Sequence, residues 1–277
     1  MVISIRILLT GSSGFLGRYV ASALAEDGHE VFCGYLKNMP EFNPIRADLS
    51  KPFTTPLDVD IIIHAAAFVP PPGESYSTQE VVENNIASTA NLVYFASKTK
   101  VKKFILVSSL SILAKHPSDY GSSKIASEKL VRESELDYSI LRFSSIYGPR
   151  QNDRWPIPKM IRSVFAGTPF QPTNRSNDYI FVRDASKAIS ASIPINENIL
   201  NIFSGIQISD RAVIREIATI CGKSSSAGFE NDVRPPNPFG EPKFQKLNLG
   251  LTPFSVGLKE TVQYFRHRYC HCSDTEL

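Results

Sequence analysis

Two short segments of the sequence carry the side chains best suited to chemistry, Ser108–Ser109 and Tyr120–Lys124. Tyr120 and Lys124 are four positions apart, so on a helix the phenol and the ammonium lie on the same face. An ammonium in that position favours the phenolate and is expected to lower the tyrosine pKa from its usual value of about 10. Tyr120 could then donate or accept a proton at working pH as a general acid or base.

The tyrosine-lysine interval alone is not specific, because Tyr94 and Lys98 repeat it on what we expect to be a surface helix. Only Tyr120 follows a predicted strand that ends in two serines, whose hydroxyls would emerge at the edge of a sheet. A serine, a tyrosine and a lysine together suit reversible hydride transfer at a carbinol carbon. We expect Ser109 to hydrogen-bond the substrate oxygen and Tyr120 to exchange its proton, with Lys124 completing the catalytic group.

A glycine-rich turn, GSSGFLG at 11–17, lies between a predicted buried strand at 5–10 and an amphipathic helix. Gly11 can adopt positive φ, Gly14 lets the backbone approach a pyrophosphate, and Gly17 lets the helix lie against the strand. The free amides and the positive end of the helix dipole then face the anion. This turn is predicted to cradle a dinucleotide. The residues expected to line it are Gly11, Ser13, Gly14, Phe15, Leu16 and Gly17.

The elements that position these residues are apolar runs alternating with helical patterns over the first 150 residues. This order predicts a Rossmann-type, doubly wound α/β fold, in which helices cover both faces of a parallel sheet. Right-handed crossovers place the strand ends and the glycine turn along one edge, where ligands of open α/β sheets bind. The predicted strands are 5–10, 30–34, 59–64, 104–108 and 139–143, and the predicted helices are 79–98 and 120–135.

After residue 150 the pattern changes, and closely spaced prolines from 156 to 172 interrupt short segments. We predict a dinucleotide-binding domain at 1–150 and a smaller, mixed substrate-binding lobe at 151–277. The two are interleaved, because a strand at 199–203 is expected to return to the sheet. Further helices are predicted at 209–221, capped by Ser209 or Asp210, and at 255–268.

The composition limits the partners and the compartment. There are 30 basic and 27 acidic residues, a net charge of +3, with no dense basic run to suggest nucleic acid. No apolar run reaches membrane-spanning length and no leader pattern precedes the first strand, so a cytoplasmic protein without a membrane partner is expected. The four cysteines form no disulfide framework, and Cys270-His271-Cys272 offers too few ligands for a closed zinc site, so no metal is expected.

Taken together, the motifs resemble the extended short-chain dehydrogenase/reductases, also called the NAD-dependent epimerase/dehydratase family, whose members mostly act on nucleotide sugars. The resemblance covers nearly the whole chain and implies an enzyme that uses NAD or NADP. The segments that carry it are GSSGFLG at 11–17, HAAA at 64–67, NNIASTANL at 84–92, VSS at 107–109, YGSSK at 120–124, LRFSSIYGPR at 141–150, DYIFVRDASKAI at 178–189 and NIFSG at 201–205.

The same resemblance implies roles for further residues on the cofactor side. Asp48 and Leu49 would contact the adenine region. Ala65 and Ala66 would line the cofactor, and Lys124 would also hold the nicotinamide ribose.

On the substrate side, Arg234 resembles the arginine that meets the substrate pyrophosphate. Ser145 stands where many members have a substrate-facing asparagine. Asn177 replaces a frequent arginine, and Arg175 could reach the same phosphate. The catalytic serine is followed by Leu110-Ser111 instead of the Asp-Glu pair that dehydratases use, so dehydration is not expected.

Cofactor choice depends on the end of the second strand. Members that use NAD carry an acidic residue there, whereas this chain has Tyr35, with Lys37 two positions later. An acid repels the extra phosphate of NADP, so its absence together with Lys37 favours NADP over NAD. Arg18 and Arg46 could assist.

These features favour an enzyme acting on the carbon 4 hydroxyl or keto group of a nucleotide sugar, with a ketoreductase preferred to an epimerase. Two alternatives stay open: a reductase of a small non-nucleotide carbonyl compound, and a non-catalytic dinucleotide-sensing regulator. Family members often pair through the helices that here span 79–98 and 120–135, so a homodimer with a four-helix contact is expected.

Overall fold

The computed structural model describes residues 4–40, 42–173, 175–195, 199–223 and 250–270. Strands and helices are numbered along the chain. The strands are β1 Arg6–Thr10, β2 Glu30–Tyr35, β3 Pro44–Arg46, β4 Ile61–His64, β5 Lys103–Ser109, β6 Asp137–Phe143, β7 Ser145–Tyr147, β8 Ser176–Phe181, β9 Ile199–Ile202 and β10 Gln207–Ser209. The helices are α1 Phe15–Glu26, α2 Thr78–Val81, α3 Ser88–Ser97, α4 Asp119–Arg132, α5 Pro156–Ala166, α6 Val182–Ala191, α7 Asp210–Ile220 and α8 Phe254–Cys270.

Within the described ranges, seven strands form one parallel sheet in the order β3-β2-β1-β4-β5-β6-β9. The strand order reverses at β1, which pairs with β2 on one side and β4 on the other. In doubly wound sheets, ligands bind where the order reverses, at the carboxyl ends of the strands. The predicted Rossmann-type fold is therefore confirmed, and β9 is the predicted returning strand.

The buried residues of the central strands divide between the two faces of the sheet. Ile7 and Leu9 pack with α1 and α6 on one face, whereas Leu8 and Ile62 pack against α3 on the other. All four side chains are fully buried, and each stabilises the fold by roughly 1.5–3 kcal/mol. Because both faces are covered, these strands are continuous apolar runs, as the sequence predicted.

A smaller mixed sheet and three helices form the second lobe. The sheet has the order β10-β8-β7, with β8 parallel to β7 and antiparallel to β10. Its residues pack with α5, α7 and α8 around a separate apolar cluster that includes Tyr147 and Phe265. Phe15 and Leu16, in the first turn of α1, pack against the same cluster. The glycine turn and the second lobe are therefore adjacent.

The region after residue 150 is more regular than predicted. Pro156 takes the first position of α5, where a missing N–H costs no hydrogen bond, and the helix continues to Gly167 at φ 66°. Ser209 caps α7 as predicted, because its Oγ accepts from Ala212 N at 3.2 Å. The helix predicted at 79–98 is present, but a π-helical segment, Val82–Ala87, joins α2 to α3.

No helix in the described part of the chain combines the length and apolar character needed to cross a bilayer. Within the same ranges, no group of three or more His, Cys, Asp and Glu side chains could hold a metal ion. The Cys270-His271-Cys272 cluster lies outside the side chains that the structure describes.

One buried lysine holds the end of α6 to the central sheet. Lys103, at the start of β5, donates from Nζ to the carbonyls of Ser192 at 2.9 Å, Ile193 at 2.9 Å and Ile195 at 2.6 Å. Burial lowers the pKa of Lys103, and the nearby Asp137 acts in the opposite direction. The ammonium thus satisfies three carbonyls beyond the last turn of α6.

Replacing Lys103 by Met removes three hydrogen bonds from a buried ammonium to these carbonyls, and we expect the free energy of unfolding to fall by about 3 kcal/mol. Lys102→Met is the matched control, because its exposed Nζ lies 3.7 Å from Asp60 Oδ1 and such pairs contribute only about 0–1 kcal/mol. Urea unfolding measures both variants. If both variants lose an equally small free energy of unfolding, the stabilising role of Lys103 after α6 is contradicted.

Candidate active site

The glycine turn brings three backbone segments closer together than any side chain would allow. Gly11 has φ 73°, and a Cβ there would lie 2.6 Å from Ala66 N. A Cβ on Gly17 would lie 2.0 Å from the Gly11 carbonyl oxygen. Glycine at these positions lets α1 begin directly against the ends of β1 and β4. Within the described residues no side chain caps α1 at Gly14, so its first amides suit the pyrophosphate of a dinucleotide.

The ends of β1 and β4 are joined beside this turn. Ala65 N donates to the Thr10 carbonyl at 3.3 Å, and Ala66 N donates to Thr10 Oγ1 at 3.4 Å. The Ser13 carbonyl accepts from Arg18 Nε at 2.9 Å. The predicted cofactor residues Ala65 and Ala66, which follow β4, therefore lie directly beside the glycine turn.

The residues expected to contact the adenine half of the cofactor lie at the ends of β2 and β3 and in the loop that follows β3. Tyr35 ends β2 half-buried, Lys37 is exposed, and Arg46 is the register partner of Tyr35 on β3. Asp48 Oδ1 accepts from Ser50 Oγ at 2.6 Å and from Ser50 N at 3.1 Å, which lowers the pKa of Asp48. The Leu49 carbonyl accepts from Asn91 Nδ2 at 2.9 Å.

Sequence reasoning missed Ser12, whose Oγ donates to the Gly34 carbonyl at 3.0 Å and ties the turn to β2. A serine inside a glycine turn gives no pattern from which that bond could be inferred.

The three predicted catalytic side chains meet at the carboxyl end of β5. The Ser109 hydroxyl lies close enough to the Tyr120 phenol to lower the phenol pKa, and it accepts a hydrogen bond from Ser111 N at 3.1 Å. Lys124 Nζ lies 5.8 Å from the centroid of the Tyr120 ring and donates to the Val107 carbonyl at 2.8 Å. This arrangement places a hydroxyl, a phenol and an ammonium together at one edge of the sheet.

Burial sets the protonation of this group, and it overturns one expectation. Burial raises the pKa of Tyr120 to about 12, while the hydrogen bond from Ser109 acts in the opposite direction. Burial lowers the pKa of Lys124 to about 8, while the Glu128 carboxylate acts in the opposite direction. The expectation that Lys124 brings the Tyr120 pKa down is therefore wrong for this state, because desolvation of the phenolate is the larger effect. At neutral pH the Tyr120 phenol therefore keeps its proton.

Tyr94 and Lys98 show what the spacing does without burial. Lys98 Nζ lies 5.6 Å from the Tyr94 ring centroid, almost as in the catalytic pair. The Tyr94 side chain, however, is 64% exposed. Burial and the partner serine, and not the interval, distinguish Tyr120.

A buried network of polar side chains, which was not predicted from the sequence, connects the elements that carry the site. His64 Nδ1 lies 2.7 Å from Thr10 Oγ1, and Nε2 lies 3.1 Å from Thr89 Oγ1. Asn85 Nδ2 donates to Ser123 Oγ at 3.0 Å. Burial lowers the pKa of His64 to about 3, and the Lys124 charge acts in the same direction. A neutral histidine therefore links β1, β4 and α3. The motifs HAAA and NNIASTANL contained these residues but gave no contacts.

The predicted substrate residues lie at the second lobe. Ser145 begins β7 and is exposed, and Arg175 is exposed immediately before β8, where its carbonyl accepts from Asp210 N at 3.3 Å. Asn177 Nδ2 donates to the Tyr179 hydroxyl at 3.3 Å. Arg234 lies outside the described residues.

Two further serines near the site were also missed. The hydroxyls of Ser111 and Ser144 are buried, and within the described residues neither has a hydrogen-bond partner. Ser144 lies between β6 and β7, and Ser111 follows Ser109 by two positions. Unpaired buried hydroxyls are costly in a protein interior.

The fold and the site together define a dinucleotide-binding enzyme of the short-chain dehydrogenase/reductase class. Residues 7–202 match the model of the NAD dependent epimerase/dehydratase family. The chain belongs to this family, the extended branch of that class, as the sequence motifs indicated.

Similar proteins span several reactions. The dTDP-D-glucose 4,6-dehydratase of Bos taurus is 25% identical over 328 residues, covering 98% of this chain and 91% of the relative. The UDP-glucose 4-epimerase of Thermotoga maritima, solved with UDP-glucose, has a TM-score of 0.80 at 22% identity, covering 96% of this chain and 100% of that chain. The UDP-glucuronic acid 4-epimerase of Bacillus cereus, solved with UDP-glucuronic acid and NAD, has a TM-score of 0.77 at 23% identity and the same coverage. The two structures establish likeness of fold.

Acid should destabilise the protein partly through His64. Its pKa is about 3 in the folded chain and about 6.5 in an unfolded one, so between these values only the unfolded state takes up the proton. Stability from neutral His64 is complete above about pH 6.5 and is lost as pH falls, by up to about 1.4 kcal/mol per pH unit.

We expect His64→Gln to flatten this slope in urea unfolding measured between about pH 7 and about pH 4. The exposed His116→Gln serves as the control. An unchanged slope in the first variant, or equal flattening in both, would refute this assignment.

Proposed function

We propose that this protein is an NAD(P)-dependent enzyme acting on the carbon 4 hydroxyl or keto group of a nucleotide sugar, and that it is a ketoreductase in preference to a 4-epimerase. The meeting of Ser109, Tyr120 and Lys124 beside the glycine turn carries this proposal. The names of the similar proteins support the substrate class, since all three act on nucleotide sugars at or including carbon 4.

In this proposal residues 1–150 and β9 bind the dinucleotide, and the lobe at 151–277 binds the sugar nucleotide through Ser145, Arg175 and Arg234. The nicotinamide ring, when bound, supplies or accepts the hydride. Ser109 donates a hydrogen bond to the substrate oxygen.

Tyr120 gives that oxygen its proton during reduction. Lys124 remains charged at neutral pH and holds the nicotinamide ribose.

Two sequence features favour a reductase: the missing acidic residue at Tyr35 and the missing Asp-Glu pair of the dehydratases. Leu110 and Ser111, which stand where that pair would be, belong to a short 3₁₀ turn after Ser109. Burial keeps the Tyr120 phenol protonated at neutral pH, so it can give a proton to the substrate oxygen in a reduction. Tightly retained NAD in the purified protein would favour the epimerase, which must keep its cofactor between two opposite hydride transfers.

A homodimer is part of this proposal. The packed helices α3 and α4 expose apolar side chains, including Tyr94 and Ile125, and Val82 in the preceding π-helical segment is also exposed. A second copy pairing through these helices would bury them in a four-helix contact. A monomer mass by light scattering would contradict it.

The decisive assay mixes the protein with NADH or NADPH and a panel of keto-sugar nucleotides, and follows cofactor absorbance. Tyr120→Phe removes only the proton donor, so kcat should fall by about 10²–10⁴-fold while dinucleotide binding persists. Tyr94→Phe is the matched control and should leave kcat unchanged.

Each other outcome of this assay is informative. Full turnover by Tyr120→Phe would overturn the mechanism. Turnover of small non-nucleotide carbonyls alone would favour the first alternative, and no turnover with any substrate would favour the non-catalytic regulator.

We propose that the enzyme prefers NADP to NAD. The last residue of β2 is Tyr35 and not an acid, and the exposed Lys37 can meet the ribose phosphate of NADP. Lys37→Ala should raise KM for NADPH several-fold and leave KM for NADH unchanged, because NADH lacks that phosphate. Lys102→Ala, an exposed lysine paired with Asp60, is the control. A wild-type preference for NADH, with no effect of Lys37→Ala on NADPH, would reverse the assignment.

A further inference from the structure

Glu128 is a buried carboxylate on α4, four residues after Lys124, and only 3% of it is exposed. Its Oε1 accepts from Ser108 Oγ at 2.6 Å and from Arg142 Nε at 2.9 Å. Its Oε2 accepts from Arg142 Nη2 at 2.6 Å. One carboxylate therefore joins α4 to both β5 and β6.

These bonds lie next to the catalytic group in the chain. Ser108 directly precedes Ser109, and the Val107 carbonyl, one residue earlier, holds Lys124 Nζ at 2.8 Å. The helix that carries the phenol and the ammonium is thus fastened to the strand that carries the serine. Movement of α4 away from β5 would break both the Ser108–Glu128 bond and the Lys124–Val107 bond.

The same carboxylate balances charge inside the site. The side chains of Arg142, Glu128 and Lys124 alternate in sign, and Arg142 makes a two-point contact with the Glu128 carboxylate. Two other titratable groups face Lys124, Tyr120 on α4 and His64 on β4. Both are uncharged at neutral pH. Among the described residues around Lys124, Glu128 supplies the negative charge that favours the buried ammonium.

We propose that Glu128 is a positioning residue for the Ser109, Tyr120 and Lys124 group, setting both the spacing of α4 from β5 and the charge beside Lys124. The inference rests on the proposed function, since the step it tunes is proton transfer by Tyr120. An ion pair that served stability alone would not alter the pH dependence of that step.

Glu128→Gln keeps the size of the side chain and removes its charge. We expect kcat to fall by about 10- to 10²-fold, with KM for substrate and cofactor within about twofold. Without the carboxylate Lys124 loses its proton at lower pH, so the alkaline fall in kcat should move down by about one pH unit. Glu128→Asp retains the charge and should keep the wild-type pH profile while lowering kcat.

Two partner variants separate geometry from charge. Arg142→Gln removes a positive charge that opposes protonation of Lys124. The alkaline fall in kcat should therefore move to higher pH. Ser108→Ala removes a hydrogen bond but no charge. It should therefore lower kcat and leave the pH of the alkaline fall in kcat unchanged. Glu133→Gln, which removes an exposed partner of Lys129 on the same helix, is the control and should change neither.

Two results would overturn the inference. One is an alkaline fall in kcat that occurs at the same pH in Glu128→Gln as in wild type. The other is an alkaline fall that shifts in the same direction in Glu128→Gln and Arg142→Gln. If Glu128→Gln does not fold, Arg142→Gln and Ser108→Ala decide the question. If the wild type turns over no substrate, the proposed function fails on its own. The Lys124 side-chain titration by NMR, in wild type and Glu128→Gln, then tests the inference separately: a lower pKa in the variant supports it, and an unchanged one refutes it.

Discussion

The site depends on keeping the ammonium of Lys124 charged inside the protein. The side chain is only 4% exposed, and removing an ammonium from water costs several kcal/mol. The Val107 carbonyl and the Glu128 carboxylate offset part of that cost, so the pKa falls only to about 8. One of these groups belongs to β5 and the other to α4. The requirement to satisfy the ammonium therefore fixes helix and strand together, and with them the contact between Tyr120 and Ser109.

A second constraint, the close backbone approach at the glycine turn, brings the cofactor cradle to the same edge. Gly11 and Gly17 allow β1, β4 and the start of α1 to meet without side chains between them. Because β4 lies between β1 and β5 in the sheet, the cradle and the catalytic group are one strand apart. Their adjacency follows from strand order, and the neutral His64 holds that order rigidly at the carboxyl ends.

The features that the sequence predicted well are local ones. The strand runs, the glycine turn and the Tyr120–Lys124 interval depend on spacing within a few residues, and the structure contains all three. The direction of the Tyr120 pKa could not be predicted, because burial is a property of the assembled core. Glu128 was missed for a similar reason: a glutamate four residues after a lysine is typical of an exposed helical pair.

Other misses have simple physical origins. The three-residue strand β3 is too short to show periodicity, and α5 begins with prolines that usually break helices but are tolerated in a first turn. The roles of Arg175 and Ser145 depend on a bound substrate, and no spacing in the sequence could fix them.

In the proposed reaction, a nicotinamide cofactor bound at this edge of the sheet would give a hydride to carbon 4 of a nucleotide-linked sugar. This step is tested most directly with NADH and NADPH deuterated at the transferable position of the nicotinamide, followed by mass spectrometry and NMR of the sugar product. The account predicts one deuterium, bound to carbon 4. A reduced product that carries no deuterium, or carries it at another carbon, would contradict it.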